Sequence, residues 1–144
     1  MDIAANENQA SGKRFRILIV DDMEVARKIL GSMLESYDMI TDYASSGEEC
    51  LEKYKENDYD MIFMDQVMPG GSPGTETMAQ LKQEFEANGK PIPVICFTSN
   101  DTPKDQKAYK EAGFSAVLGK PAHPTRVKEL LTEFLEDAFQ TEET

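Results

Sequence analysis

The 144-residue sequence predicts one doubly wound α/β domain, a parallel five-stranded sheet covered by helices on both faces. Three observations predict it. Strand-like and helix-like stretches alternate five times. The strand-like stretches are apolar throughout, as strands buried on both faces are. Acidic, hydroxyl or basic residues stand directly after four of the five strands.

Residues 1–13 are small and polar without periodicity and read as a disordered leader. The domain is expected over 14–139, with 140–144 a frayed tail. RILIV (16–20) is a continuous apolar run and hence a buried strand. Met23 to Ser36 carries Val25, Ile29, Leu30, Met33 and Leu34 at helical spacing. Residues 39–44 form a short strand. Gly47 to Lys55 is a helix with Cys50, Leu51 and Tyr54 on one side. DYDMIFMD (58–65) contains the third strand, and the loop after it is rich in Gly and Pro (Pro69, Gly70, Gly71, Pro73, Gly74). Thr75 to Ala87 is a helix with Met78, Leu81, Lys82 and Phe85 in phase. IPVICFT (92–98) is a strand. Pro103 to Ala112 is a helix opened by proline near its first turn. FSAVLG (114–119) is the last strand. Thr125 to Phe139 is the last helix, with Val127, Leu130, Leu131, Phe134, Leu135 and Ala138. The expected architecture is flavodoxin-like, strand order 2-1-3-4-5, with ligands at the carboxyl ends of the strands.

Composition narrows the function. Net charge is −12 and the isoelectric point about 4.5, which argues against direct binding of duplex nucleic acid. No apolar run approaches the roughly 18 residues of a membrane helix. The amino terminus lacks a signal pattern. Cys50 and Cys96 form no CxxC pair, and Cys96 sits in an apolar run as a small core residue. The expectation is a cytoplasmic protein with no membrane partner.

The strand ends carry the chemistry. The first ends in Asp21-Asp22, the third in Asp65, the fourth in Thr98-Ser99 and the fifth in Lys120-Pro121. In a parallel sheet these ends share one edge. Each residue alone has a bland explanation, since Asp and Thr cap helices and turns and Lys is commonly solvated. The bland explanation needs four coincidences when all stand at the correct ends. Three converging carboxylates repel one another unless some are protonated or a cation sits among them. Hard oxygen ligands without His or Cys suit Mg²⁺ rather than zinc. A carboxylate beside Mg²⁺ and an ammonium is a nucleophile suited to a phosphoryl group, with Lys120 and Thr98 offsetting charge on its oxygens.

RILIVDD, DMIFMDQVMP, PVICFTSN and GFSAVLGKP together resemble the motifs of response-regulator receiver domains, in order and in spacing, over about residues 15–139. The resemblance implies that Asp65 is the phosphoacceptor, that Asp22 binds Mg²⁺ directly, and that Asp21 helps through water. It implies that the backbone carbonyl of Val67 completes the metal shell, that Thr98 and Lys120 contact the phosphoryl group, and that a cis peptide joins Lys120 to Pro121. It further implies a sensor histidine kinase or phosphotransfer protein as phosphohistidine donor. Output is then through a downstream protein partner, because the chain ends one helix past the fifth strand. FMDQVMP and FTSN resemble the receivers of hybrid histidine kinases. In this reading the chain assists its own phosphorylation and dephosphorylation and is not a dedicated enzyme.

Three features depart from the family pattern. The loop Met68-Pro69-Gly70-Gly71-Ser72-Pro73-Gly74 is one residue longer than M-P-x-M-D-G and lacks its Asp, which points to a mobile loop. Val117 stands where an aromatic switch residue is common, so a smaller, backbone-led change is expected there. Gln66 follows the acceptor, with a surface role and a functional role equally open. Elsewhere, His123, the single histidine, reads as a polar loop residue near a helix start, and the glycine loop is no P-loop because no G-K-[ST] follows.

Two other classes compete. An aspartyl-nucleophile phosphatase or phosphotransferase wants a second Asp two residues after the nucleophile, where this sequence has Val67. A flavin-binding electron carrier wants a hydroxyl-rich phosphate loop after the first strand, where Asp21-Asp22 would repel a phosphate.

Overall fold

A computed structural model describes residues 14–135. The proposed leader, the tail and the end of the last helix lie outside them. The elements are β1 (Arg16–Val20), α1 (Glu24–Ser36), β2 (Ile40–Ala44), α2 (Gly47–Glu56), β3 (Met61–Asp65), α3 (Gly74–Asn88), β4 (Val94–Thr98), α4 (Pro103–Ala112), β5 (Ala116–Gly119) and α5 (Pro124–Phe134). All strand pairs are parallel, in the order β2-β1-β3-β4-β5. The expected alternation and strand order are both present.

The twofold period of the strands divides the core into two layers. Ile17, Ile19, Met61, Phe63, Ile95 and Phe97 point to one face, where Leu30 and Leu34 of α1 and Val127, Leu130 and Leu131 of α5 cover them. Leu18, Val20, Ile62, Met64 and Cys96 point to the other, against Cys50 of α2, Met78, Leu81 and Phe85 of α3, and Tyr109 of α4. This is why β1, β3 and β4 show no polar alternation, since nearly every position in them is buried under a helix layer. Cys50 and Cys96 are both buried and free, and burial pushes each thiol up to about 12, so both act as core residues.

Local chemistry sets the boundaries. Ser46 caps α2 by accepting from Glu49 N–H at 3.1 Å. Thr102 caps α4 by accepting from Asp105 N–H at 3.2 Å, with Pro103 at the first helical position. Gly89 and Gly113 end α3 and α4 in the left-handed region, which glycine adopts without a Cβ clash.

Three positions correct the sequence reading. Val25 and Ile29, part of the apolar stripe of α1, are 65% and 48% exposed, because Leu30, Gly31 and Leu34 turn fully inward and Ala26 and Met33 pack at the margin of the core. Lys82, in phase with the core of α3, is exposed, and Thr77 is buried beside Gly47 of α2 instead.

Candidate functional site

Strand register brings the polar strand ends level. Val20 pairs with Met64, so Asp21 follows one strand where Asp65 ends its neighbour. Asp65 pairs with Phe97, which sets Thr98 one step further along, and Thr98 pairs with Gly119. The Lys120 N–H then donates to the Thr98 carbonyl at 2.9 Å. Each of Asp21, Asp65, Thr98 and Lys120 is thus placed by a strand rather than by a loose loop.

Asp21, Asp22 and Asp65 each offer a carboxylate oxygen within 4.8 Å of the others. Asp21 is fully buried, Asp65 nearly so, and Asp22 partly exposed. Lys120 Nζ donates to Asp21 Oδ2 at 2.7 Å and lies 3.5 Å from Asp65 Oδ2. The Lys120 ammonium also sits 4.8 Å from the centroid of the Phe97 ring. The Asp21 Oδ1 accepts from Met23 N–H at 2.9 Å, and Asp65 Oδ1 from Val67 N–H at 3.3 Å. Arg27 donates to the Asp21 carbonyl at 2.7 Å, fastening α1 to the end of β1.

Burial pushes the Asp65 carboxyl up to about 6, and the neighbouring Asp21 charge adds to the rise, while Lys120 and the Val67 N–H oppose it. One ammonium among three carboxylates leaves an excess of negative charge in a largely desolvated pocket. A hard divalent cation fits that donor set, because all the side-chain ligands are oxygens and Asp22 opens the site to solvent.

Thr98 is buried, with its Oγ1 accepting from Asn100 N–H at 3.1 Å. The Tyr109 hydroxyl approaches it from α4. Tyr109 is the one buried residue of α4, and its ring meets Phe114 edge-on at 6.1 Å. Sequence reasoning missed this tyrosine. Its position inside a polar helix pattern carried no signal of which strand end it would reach. Val117 is half-buried and pairs with Cys96. The Lys120–Pro121 peptide is cis. His123 is exposed at the start of α5.

Val67 is 52% exposed and brings no proton-transfer group beside Asp65. Gln66 is drawn into structure, as its Oε1 accepts from Thr75 N–H at 2.9 Å. The long loop is tied along its length, with Met68 buried, Gly71 N–H on the Met68 carbonyl at 3.0 Å, and Ser72 Oγ donating to Glu48 Oε2 at 3.1 Å. No helix among the described residues is long and apolar enough to cross a membrane.

Comparison with known proteins agrees with this arrangement. The family model for the response regulator receiver domain matches residues 17–132. The chain is 36% identical over 120 residues to the chemotaxis protein CheY of Halobacterium salinarum, covering 83% of this chain and 96% of that protein. It is 31% identical over 135 residues to hybrid signal transduction histidine kinase E of Dictyostelium discoideum, covering 92% of this chain but 8% of that protein. Among solved structures, it superposes on the Ssk1 receiver domain crystallised with the histidine phosphotransfer protein Ypd1 of Saccharomyces cerevisiae. The TM-score there is 0.78 at 26% identity, over 84% of this chain and 88% of that one. With its five parallel strands in the order 2-1-3-4-5, the chain belongs to the response regulator receiver domain family, the phosphoacceptor module of two-component signalling.

Proposed function

We propose that Asp65 accepts a phosphoryl group from a phosphohistidine partner, with Mg²⁺ held by Asp22 and Asp65, by Asp21 through water, and by the Val67 carbonyl. The observation that carries this reading is the cluster of three carboxylates within 4.8 Å with the Lys120 ammonium beside it. Mg²⁺, when bound, neutralises charge that builds on the phosphoryl oxygens. The chain's own groups do the rest. The Asp65 carboxylate oxygen attacks phosphorus, an acyl P–O bond forms, and the P–N bond to the donor imidazole breaks. The imidazole nitrogen keeps the electron pair and is protonated from solvent. Lys120 pairs with one equatorial oxygen and Thr98 donates a hydrogen bond to another. A later attack by water on phosphorus returns Asp65 and releases phosphate.

The donor is a sensor histidine kinase or a phosphotransfer protein, and output passes to a protein partner. Met23, Val25 and Ile29 are 58%, 65% and 48% exposed, Met23 at the N-cap of α1 next to Asp22 and the other two lying in the first half of the helix. That apolar patch is where a donor helix would seat to bring its histidine over Asp65. The co-crystal of a related receiver with a histidine phosphotransfer protein supports a donor of this type. The charge balance weighs against nucleic acid, and the reading keeps the chain in the cytoplasm as a signalling domain rather than a dedicated enzyme.

The direct experiment is transfer from a ³²P-labelled histidine phosphotransfer domain. Label should move to this chain within minutes with Mg²⁺ present, and EDTA should abolish the transfer. Label that stays on the donor while the same donor serves another receiver refutes the proposal.

A further inference from the structure

Gln66 makes two bonds that hold the start of α3. Its backbone carbonyl accepts the Gly74 N–H at 2.9 Å, and its side-chain Oε1 accepts the Thr75 N–H at 2.9 Å. The residue at the helix N-cap, Pro73, offers no side-chain cap. Free N–H groups at a helix start need partners, and here one residue at the end of β3 supplies two. Gly74 makes the approach possible. A Cβ there would lie 2.5 Å from the Asp65 carbonyl oxygen, 3.0 Å from the Gln66 Cα and 3.1 Å from Gln66 Oε1.

The loop from Val67 to Pro73 is therefore closed on Gln66 at both ends. Its first residue, Val67, gains little from packing, being 52% exposed, yet its N–H reaches Asp65 Oδ1 at 3.3 Å. The orientation of the Val67 peptide must come from its covalent neighbours and from the closure behind it.

We infer that Gln66 is a positioning residue for the acceptor site: it staples α3 to the end of β3, fixes the Gln66–Val67 peptide so that the Val67 N–H faces Asp65, and so steadies the Val67 carbonyl that would serve the cation. The inference rests on the reading proposed above. The staple also offsets the extra length of the loop, since closing a loop at its base removes the freedom an added residue brings.

The test uses Gln66→Met, which keeps the side chain's length without the acceptor, and Gln66→Glu, which keeps the acceptor. High salt screens the charge that Glu adds. Two quantities are read for each: the Mg²⁺ concentration giving half-maximal labelling by acetyl phosphate, and amide hydrogen exchange in β1 and β4. Gln66→Met should raise the half-maximal Mg²⁺ concentration threefold or more and leave exchange in the two strands unchanged. Gln66→Glu should stay within twofold of wild type. A Met variant within twofold of wild type overturns the inference. So does equal loss in both variants, or a loss matched by faster exchange across the sheet. A wild-type chain that takes no label overturns the proposed function itself, a result the variants cannot mimic.

Discussion

Lys120 and Asp21 are 99 positions apart in sequence, and Lys120 Nζ lies 2.7 Å from Asp21 Oδ2, with the Asp21 side chain fully buried. The lysine is the cationic partner of a carboxylate buried from bulk solvent, and it is shared with Asp65 at 3.5 Å. Removing one member of a buried ion pair leaves the other charged and unsolvated. Lys120→Met should therefore destabilise the metal-free protein by about 1–3 kcal/mol, below the usual range for a fully buried pair because the lysine is 22% exposed. Added Mg²⁺ should recover part of the loss. Urea denaturation with and without Mg²⁺ measures both, and an unchanged midpoint would show that the pair carries no stability.

Asp65 sets a pH dependence with a definite sign. Its carboxyl is raised from 3.8 to about 6 in the fold, first by burial and then by Asp21. An acid raised on folding lowers stability as pH climbs through that window, because the unfolded chain gives up the proton more readily. The penalty is absent below the unfolded value of 3.8 and fully present above the folded value of about 6. Asp65→Asn should stabilise the metal-free protein by on the order of 1–3 kcal/mol at pH 8 and by close to nothing at about pH 3. Thermal melts in EDTA at the two pH values decide it. A gain of equal size at both would assign the effect to something other than the buried charge.

The exposed start of α1 separates docking from chemistry. Val25→Ala and Ile29→Ala remove side chains that are 65% and 48% exposed, so folding stability should change by less than about 1 kcal/mol. Transfer from a phosphohistidine domain should slow about tenfold or more, while labelling by acetyl phosphate stays at the wild-type rate. If both donors slow alike, α1 serves the site and not the partner.

Tyr109 links the acceptor side to α4. It is the buried residue of that helix, and its hydroxyl approaches the Thr98 side chain. On the proposed reading, a phosphoryl group on Asp65 should draw the Thr98 hydroxyl toward its oxygens and away from Tyr109. Val117 has no large side chain to swing, so the change should run through 98–120 as backbone shifts led by α4. Beryllofluoride, a phosphoryl mimic, should move amide resonances of residues 99–118 in wild type and move them less than half as far in Tyr109→Phe. Shifts confined to the loops after β1 and β3 would send the signal out by another face.

The fold and the acidic site were legible for one physical reason. A strand buried on both sides must be apolar along its length, so RILIV and MIFM stand out, and the polar residues that end such runs fall on one edge by topology. Features set by tertiary packing were not legible. The stripe on α1 includes Val25 and Ile29 although the sheet covers only part of it, and periodicity cannot tell a core face from a face kept for a partner. Gln66 looked like a surface residue or a functional one with equal right, because its partner, the Thr75 N–H, has no signature in sequence. Tyr109 reaches Thr98 only once α4 is laid against β4 and β5.

The central claim, that Asp65 takes the phosphoryl group, is met most directly by intact mass after incubation with acetyl phosphate and Mg²⁺. Wild type should gain the mass of one phosphoryl group, lose it on treatment with hydroxylamine, and gain nothing in EDTA. Asp65→Asn should gain nothing under any of these conditions. Equal labelling of Asp65→Asn and wild type, or labelling of wild type that persists without the metal, contradicts the account.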